Sequence, residues 1–177
     1  NIPLFDGWIN TTIGEIIKKN GGNIKTGPFG TVLKAKEYSR YGVPIISVGE
    51  IDYGVFKIRD STPRAPIEVT QRLPEFLLEE GDIVFGRKGA VDRNAMVKSE
   101  QVGWFLGSDG IRLRLHSNVN SQFIAYQLQD PITKFWLFQH ATGTTMASLN
   151  QDIIERIPII LPTFPEQLKI GKILRTL

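Results

Sequence analysis

The chain has 177 residues, of which 41% are hydrophobic and 10% aromatic, and its 21 Lys and Arg against 18 Asp and Glu give a net charge of +3. This length and apolar content suffice for one globular domain with a packed core. The absence of cysteine excludes disulfides, thiolate metal sites and cysteine nucleophiles. Because the apolar runs are far shorter than the roughly 20 residues that cross a bilayer, we expect a cytoplasmic protein with no membrane partner.

The first third of the chain predicts a short helix followed by a buried strand. Thr12 and Glu15 have the spacing of a capping box, which predicts a helix over residues 13–18 that Gly21 ends. The Gly-Pro-Phe-Gly sequence at residues 27–30 predicts a turn. The β-branched run at residues 43–48 predicts a strand with both faces covered.

Residues 59–74 are rich in proline and arginine. This segment contains Pro63, Pro66, Pro74, Arg59, Arg64 and Arg72. Because proline removes backbone donors and interrupts regular structure, we predict an irregular, exposed and basic excursion here. Such a segment is a suitable binding loop.

The middle of the chain predicts two strands and then two helices. A turn at Gly81 precedes a predicted strand over residues 83–85. The alternation of apolar and charged residues at 111–115 predicts a strand with one face in water. A helical period begins after Asn120, and a second helix begins near Pro131. The aromatic residues of the second helix have helical spacing and are predicted to be core; they are Phe135, Trp136 and Phe138.

The C-terminal part predicts a short helix capped by Asn150, an extended piece at residues 158–161, and a helix over residues 166–177 with Thr163 as its cap. The fold class is therefore α+β, with a twisted mixed or antiparallel sheet and flanking helices. We assign residues 1–162 to a single domain and residues 163–177 to the start of a long C-terminal helix. The chain lacks an initial Met and ends inside this predicted helix, so we expect a fragment of a longer protein.

Motifs for catalysis are missing from the sequence. There is no Gly-rich cofactor loop with an Asn-Pro-Pro-aromatic motif, no Glu-x-Lys of metal-dependent nucleases, and no phosphate-binding loop. His116 and His140 lie in different predicted elements, and we expect structural or surface roles for them. We therefore predict no catalytic and no metal-binding residues. Residues 27–30 have the outline of a KH loop, but such a loop joins two helices and this one precedes strands.

Three groups of motifs occur in a distinctive order. The first, at residues 25–51, contains Gly-Pro-Phe-Gly and Gly-Val-Pro-Ile-Ile; the second, at residues 81–91, joins Gly-Asp-Ile to Arg-Lys-Gly; and the third, at residues 143–170, runs from Gly-Thr-Thr through Pro-Glu-Gln to Ile170. Together they resemble the specificity subunits of type I restriction-modification enzymes along nearly the whole chain. The chain departs from this family at Asp92, where glycine is common; this side chain either tunes which base the turn tolerates or caps the turn.

The resemblance implies a target-recognition domain that reads one half of a bipartite double-stranded DNA site and carries no chemistry itself. Such a subunit has two recognition domains joined by long antiparallel helices, so residues 163–177 would begin a spacer helix. The expected partners are double-stranded DNA, methylation subunits, restriction or translocation subunits, and a second recognition domain of the same subunit or of a dimer partner. S-adenosylmethionine, ATP and Mg²⁺ are expected in the partner subunits, with no cofactor bound by this chain.

Arginine and lysine are the side chains best suited to reading DNA, because they neutralise phosphates and arginine also binds guanine bidentately. The candidates from the basic excursion and the basic turn are Arg59, Arg64, Arg72, Arg87, Lys88 and Arg93. Lys34, Lys36 and Arg40 are candidates for phosphate contact, and Thr144 and Thr145 offer hydroxyls and amides. Solvated surface charge is the alternative for each cation, and helix capping explains the threonines equally well.

Other functions remain open at this point. The same module could belong to a single-chain restriction-methylation enzyme, or the chain could be an assembly domain that never meets DNA. RNA binding is disfavoured, because no aromatic-rich basic strand of the RRM type is present. The target bases, the division between base and phosphate contacts, and the oligomeric state do not follow from the sequence.

Overall fold

A computed structural model describes residues 5–175. Within this range the strands are β1 Ile9–Thr12, β2 Gly22–Thr26, β3 Val43–Ile46, β4 Arg64–Ala65, β5 Ile83–Gly86, β6 Asn94–Met96, β7 Phe105–Leu106, β8 Gly110–Leu115 and β9 Pro158–Leu161. The helices are α1 Ile13–Asn20, α2 Ile67–Arg72, α3 Ser121–Gln129, α4 Pro131–His140, α5 Gln151–Glu155 and α6 Phe164–Arg175. Short 3₁₀ turns connect several of these elements.

The strands of the described chain are divided among three sheets, and the α+β class is confirmed. The central sheet has the order β2-β8-β5-β6 and is antiparallel throughout. A second sheet, β4-β3-β7, is mixed because β3 and β7 run parallel. β1 pairs antiparallel with β9, so the beginning and the end of the described chain lie side by side.

The central sheet separates two hydrophobic cores. On one face Ile83 and Phe85 of β5 pack with Leu113 of β8 and with helices α1, α3, α4 and α5. On the other face Val84 of β5 packs against the second sheet and the segment that follows α2, including Phe76. Both faces are therefore covered, which is why the strand of residues 83–85 is apolar without alternation.

The prediction of a wet face for residues 111–115 is wrong. Arg112 is only 4% exposed and donates from Nη2 to Oδ1 of Asn23. Arg114 is half-buried and forms ion pairs with Asp82 and Glu79. Alternation of charged and apolar residues indicates two different faces, but it cannot distinguish a solvated face from one covered by a second layer that supplies carboxylates.

The predicted irregular excursion at residues 59–74 is also wrong, because it contains β4 and α2. Pro66 occupies the N-cap position of α2, where its missing N–H is not needed by the helix. Val69 and Leu73 are buried in the second core. The prolines therefore mark the ends of short elements and do not prevent their formation.

The prediction for the aromatic residues of α4 holds for only one of the three. Trp136 is half-buried against the first core and stacks on His140 at 3.9 Å between ring centroids. Phe135 and Phe138 are 63% and 52% exposed, so their assignment to the core is wrong. They lie three residues apart on the outer stripe of the helix, whereas Thr133 and Leu137 occupy the buried stripe.

The predicted helix starts are confirmed by their caps. The Thr12 hydroxyl accepts from the Glu15 amide, and the Glu15 carboxylate accepts from the Thr12 amide. Asn120 and Asn150 cap α3 and α5 through their side-chain oxygens. α6 begins at Phe164 and spans 12 described residues, so a long spacer helix stays a prediction. No helix within residues 5–175 is long and apolar enough to span a membrane.

Candidate nucleic-acid interface

The turn between β5 and β6 presents three of the predicted DNA-binding cations. Backbone hydrogen bonds from Gly86 N to Arg93 O at 3.0 Å and from Arg93 N to Ala90 O at 3.2 Å close this hairpin. Gly89 at its tip has a φ of +74°, and a Cβ placed there would meet no atom within 4 Å. The tip is therefore exposed, and Arg87 and Lys88 lie between it and the end of β5.

Arg87 and Lys88 make long polar contacts with residues 108–109. Arg87 Nη1 donates to the carbonyl oxygen of Ser108 at 3.3 Å, and Lys88 Nζ lies 3.4 Å from Oδ1 of Asp109. The Arg87 guanidinium carbon also lies 5.7 Å from the centre of the Phe29 ring, within cation–π range. These contacts orient both cations.

A distant loop at residues 143–146 is held against the same hairpin. Gly89 N donates to Ala147 O at 2.8 Å, and Leu149 N donates to Arg87 O at 2.8 Å. Reciprocal backbone hydrogen bonds between Thr142 and Ser148 close the loop. Thr144 and Thr145 are both exposed at its tip. The structure therefore brings these predicted threonines to the hairpin that carries Arg87 and Lys88.

Sequence reasoning missed Phe29, which joins this surface from a third segment. Gly27 and Pro28 are buried, and Gly27 N donates to Gly110 O at 3.0 Å, so the loop is firmly seated. Phe29 itself is 60% exposed. A phenylalanine between proline and glycine in a predicted turn was the available signal, because a turn presents its central side chain to solvent. We call the surface of Phe29, Arg87, Lys88, Thr144 and Thr145 the hairpin face.

Arg93 belongs to the same hairpin but contacts a different residue, Tyr53. Its guanidinium carbon lies 5.7 Å from the ring centre of Tyr53, which also receives Lys134 Nζ at 4.2 Å. The Tyr53 hydroxyl donates to Oδ2 of Asp92 at 2.6 Å, and this hydrogen bond is the main cause of a raised Tyr53 pKa. Asp92 is only 7% exposed, which favours a structural role for this side chain over a role in base selection.

The arginines of residues 59–74 are already engaged by the protein. Arg59 Nη1 donates to Gly49 O at 2.8 Å, and Arg64 Nη1 donates to Gly42 O at 2.9 Å. Arg72 pairs with Glu37, whose pKa is lowered by a backbone hydrogen bond from Lys34 and by the charges of Arg72 and Lys34. No contact brings these three arginines to the hairpin face among the described residues.

The basic run before β3 lies in the same part of the molecule as these arginines. Lys34, Lys36 and Arg40 are all exposed, and none of the three is in an ion pair within residues 5–175. Arg40 is followed by Tyr41, which is 82% exposed. The predicted cations therefore fall into two groups, one at the hairpin and one around the second sheet.

No arrangement for metal binding occurs in the described part of the chain, where no three His, Asp or Glu side chains are grouped to hold an ion. His140 uses Nδ1 to contact the Trp136 carbonyl oxygen at 2.8 Å and stacks on the same residue. His116 packs beside Gly21 at the end of α1. The two histidines contact different elements, consistent with the expected structural roles.

Comparison with known proteins gives a family and a set of similar folds. A family model described as the type I restriction modification DNA specificity domain matches residues 6–177. No curated protein matches the chain in sequence. Three solved structures have similar folds at 15–18% identity, and each alignment covers 99% of this chain.

The first of these is a chain from a structure on the complex assembly and conformational transition of the type I R-M system, with a TM-score of 0.70 and 17% identity. The second is the HsdS subunit from Thermoanaerobacter tengcongensis, with a TM-score of 0.67 and 15% identity. The third is the type I restriction-modification S subunit from M. genitalium, with a TM-score of 0.65 and 18% identity. The alignments cover 39%, 38% and 40% of those chains, so this chain spans about two fifths of their length.

Proposed function

The chain belongs to the family of type I restriction modification DNA specificity domains, and we propose that it reads one half of a bipartite double-stranded DNA site through the hairpin face. Backbone contacts between the hairpin and residues 147–149 bring Arg87, Lys88 and the two threonines together from segments distant in sequence. This convergence of cations and hydroxyls carries the proposal, because a DNA reader needs both phosphate neutralisation and donors directed at base edges.

In this proposal, some residues of the hairpin face contribute affinity for DNA and others contribute sequence specificity. Arg87 has a planar fork that can bind O6 and N7 of guanine, and its contact with Phe29 holds the fork in place before DNA arrives. Lys88 supplies a point charge for a phosphate, for which it exchanges its long contact with Asp109. Thr144 and Thr145 supply hydroxyls and amides to the backbone or to bases.

The remaining predicted contacts extend this surface. Arg93 is proposed to bind DNA from the same hairpin. Lys34, Lys36 and Arg40 are proposed to meet phosphates that flank the site, since their exposed side chains are available. Arg59, Arg64 and Arg72 stay predictions, and each would first have to release a carbonyl group or the Glu37 carboxylate.

The chemistry belongs to other subunits in this proposal. Methylation subunits would bind S-adenosylmethionine and modify an adenine flipped out of the duplex, and restriction or translocation subunits would use ATP and Mg²⁺. A second recognition domain, in the same subunit or in a dimer partner, would read the other half-site. The present chain supplies the sequence information that directs them and acts as no enzyme by itself.

The test begins with the target motif, which adenine methylation profiling of a genome carrying the complete system reveals. Binding of the purified chain is then measured at low salt on a duplex with the matching half-site and on a scrambled duplex. Arg87→Ala should lower the ratio of the two affinities by roughly 5–150-fold, equivalent to roughly 1–3 kcal/mol of discrimination. Lys88→Ala should weaken binding to both duplexes equally.

A matched control is available in the same hairpin. Lys98 is exposed and follows β6 at the end opposite the turn, so Lys98→Ala should leave both affinities unchanged. If Arg87→Ala and Lys88→Ala behave like this control, the hairpin face does not read DNA. Charge reversal at Arg87 and Lys88 that left target binding intact would favour an assembly domain instead.

A further inference from the structure

Tyr53 is the centre of a second cationic cluster beside the hairpin. It is 48% exposed, and its ring contacts Arg93 from the hairpin and Lys134 from α4. Gly54 N donates to Asn94 O at 2.9 Å, which holds the turn that carries Tyr53 against β6. Three segments of the chain therefore meet at one partly exposed aromatic ring.

The positive charge of this cluster is incompletely neutralised. Asp92 is buried and accepts the Tyr53 hydroxyl, and Asp52 pairs closely with Lys57. Arg93 Nε is buried without a hydrogen-bond partner, and its nearest carboxylate oxygen is Oδ1 of Asp52 at 4.0 Å, beyond hydrogen-bond range. The Arg93 side chain is 41% exposed.

Lys134 adds a second cation to the cluster. It lies in α4, makes no ion pair within the described chain, and contacts the π-face of Tyr53. An aromatic ring attracts a cation but does not cancel its charge. Arg93 and Lys134 together therefore favour an anionic ligand at this exposed ring.

The cluster is connected to the hairpin face through the backbone of the chain. Arg93 pairs through its backbone with Gly86, the residue that precedes Arg87. Lys134 and His140 are six residues apart on α4, which corresponds to about 9 Å at about 1.5 Å per residue, and the 143–146 loop begins three residues after His140.

We propose that Arg93, Lys134 and Tyr53 form a phosphate-binding site that holds the DNA backbone beside the bases read by the hairpin face. This inference rests on the proposed function and assigns Lys134 and Tyr53 a role in it. Arg93 and Lys134 contact the phosphate, whereas Tyr53 is a positioning residue that orders both cations through its ring. The site contributes affinity and register without sequence preference.

The test measures the salt dependence of binding on two fluorescein-labelled duplexes, one of arbitrary sequence and one with the target half-site. The logarithm of the association constant falls linearly with the logarithm of the salt concentration. Loss of one phosphate contact should make this negative slope shallower by about 0.9. Lys134→Gln should show this loss on both duplexes, with affinity about eightfold lower at about 0.1 M salt and the affinity ratio unchanged. Lys98→Gln is the matched control and should alter neither quantity.

Two substitutions of Tyr53 test whether its ring orders the two cations or only supports the folded structure. Tyr53→Leu removes the ring and should make the salt dependence of binding weaker. Tyr53→Phe keeps the ring but loses the contact with Asp92, and its salt dependence should match that of the unsubstituted chain. Thermal unfolding of each variant verifies that the chain remains folded. A Tyr53→Phe variant with the same slope loss as Tyr53→Leu would overturn the positioning role.

The outcomes distinguish this inference from the function on which it rests. If Arg87→Ala and Lys88→Ala weaken DNA binding while Lys134→Gln and Arg93→Gln keep the full salt slope, the phosphate site is wrong and the function stands. A lower affinity ratio in Lys134→Gln would also overturn the inference, because the residue would then read bases. If all four variants bind like the unsubstituted chain, the proposed function itself fails.

Discussion

Arg114 of β8 and Asp82, the residue before β5, form a two-point ion pair between the two inner strands of the central sheet, with Nε to Oδ1 and Nη2 to Oδ2 both at 2.7 Å. Asp82 is only 1% exposed and also accepts the Glu79 amide at 2.8 Å. The hydrogen bond to Asp82 is the main cause of a raised Arg114 pKa. The two opposite charges of this pair are therefore largely withdrawn from solvent at the central sheet.

Replacing Asp82 should be costly to stability, because it leaves the Arg114 guanidinium partly buried without its main partner. Asp82→Asn should lower the free energy of unfolding by roughly 3 kcal/mol, the low end for breaking a buried pair, since Arg114 keeps some solvent contact. Urea denaturation measures the change. Glu79→Gln is the matched control, since Glu79 binds the same guanidinium from a side chain that is 64% exposed. Its effect should stay below about 1 kcal/mol, and equal effects of the two variants would contradict the importance of burial.

A methyl group at Gly27 should disturb the loop that presents Phe29. A Cβ at Gly27 would lie 1.8 Å from the carbonyl oxygen of Gly107, and backbone must shift to admit it. Gly27→Ala should therefore destabilise the chain by roughly 1–3 kcal/mol, as overpacking does. The change is measured by thermal unfolding.

Gly30 provides the control for this substitution within the same loop. A Cβ at Gly30 would meet nothing within 4 Å, so Gly30→Ala should leave the unfolding temperature nearly unchanged. DNA binding by Gly27→Ala should also weaken if Phe29 orders Arg87. The structural account of this loop would be wrong if both alanine variants were equally stable.

Gln167 fastens α6 to the rest of the domain, so its loss should free the helix. It is 2% exposed, donates to Pro162 O at 2.9 Å and accepts the Asn120 amide at 3.0 Å. Gln167→Leu leaves both backbone groups unsatisfied, and each such group costs roughly 1–3 kcal/mol when buried. Hydrogen exchange should show reduced protection of the Asn120 amide. Lys169→Leu, at an exposed neighbouring position, should change the unfolding free energy by less than about 0.5 kcal/mol.

The contact between Trp8 and Glu166 should depend on pH. A side-chain hydrogen bond from Thr163, followed by one from the Trp8 indole, lowers the Glu166 pKa below its usual 4.5. A lowered pKa in the folded state means that the stabilisation is present above pH 4.5 and is lost as the pH falls through the lowered value. The indole N–H resonance of Trp8 should shift in that acidic range.

Glu166→Gln is the control for this titration, because an amide can accept the indole hydrogen bond but does not ionise. The Trp8 resonance of this variant should show no transition in the acidic range. A transition that persisted in Glu166→Gln would have to be assigned to another carboxyl group.

Local features of the fold could be predicted from the sequence where neighbouring residues determine them. The capping box of Thr12 and Glu15 and the cap at Asn150 involve groups three residues apart, so their geometry follows from helix formation alone. The strand at residues 83–85 follows from the turn at Gly81 and the apolar run after it. The family was predicted from the order of motifs, which the match over residues 6–177 confirms.

The candidate site was only partly predictable, because its residues meet through contacts distant in sequence. Arg87, Lys88 and the threonines were each nominated, but nothing in the local pattern indicated that Gly89 would bind Ala147 through its backbone. Phe29 and Lys134 were missed for the same reason. The arginines of residues 59–74 were nominated from a proline pattern that instead marks the ends of short elements.

The sequence by itself determined where α1, α3, α4 and α5 begin, that residues 83–85 form a strand, and to which family the chain belongs. Those properties depend on residue type and on neighbours within a few positions. Only the tertiary structure decided which charges remain available to a ligand. Arg112, Arg114 and Arg93 are the same kind of residue, yet the first is buried against Asn23, the second is neutralised by Asp82, and the third stays partly exposed beside Tyr53. The free energy of a charge depends on its solvent and its partners, and both are supplied by segments far away in the chain.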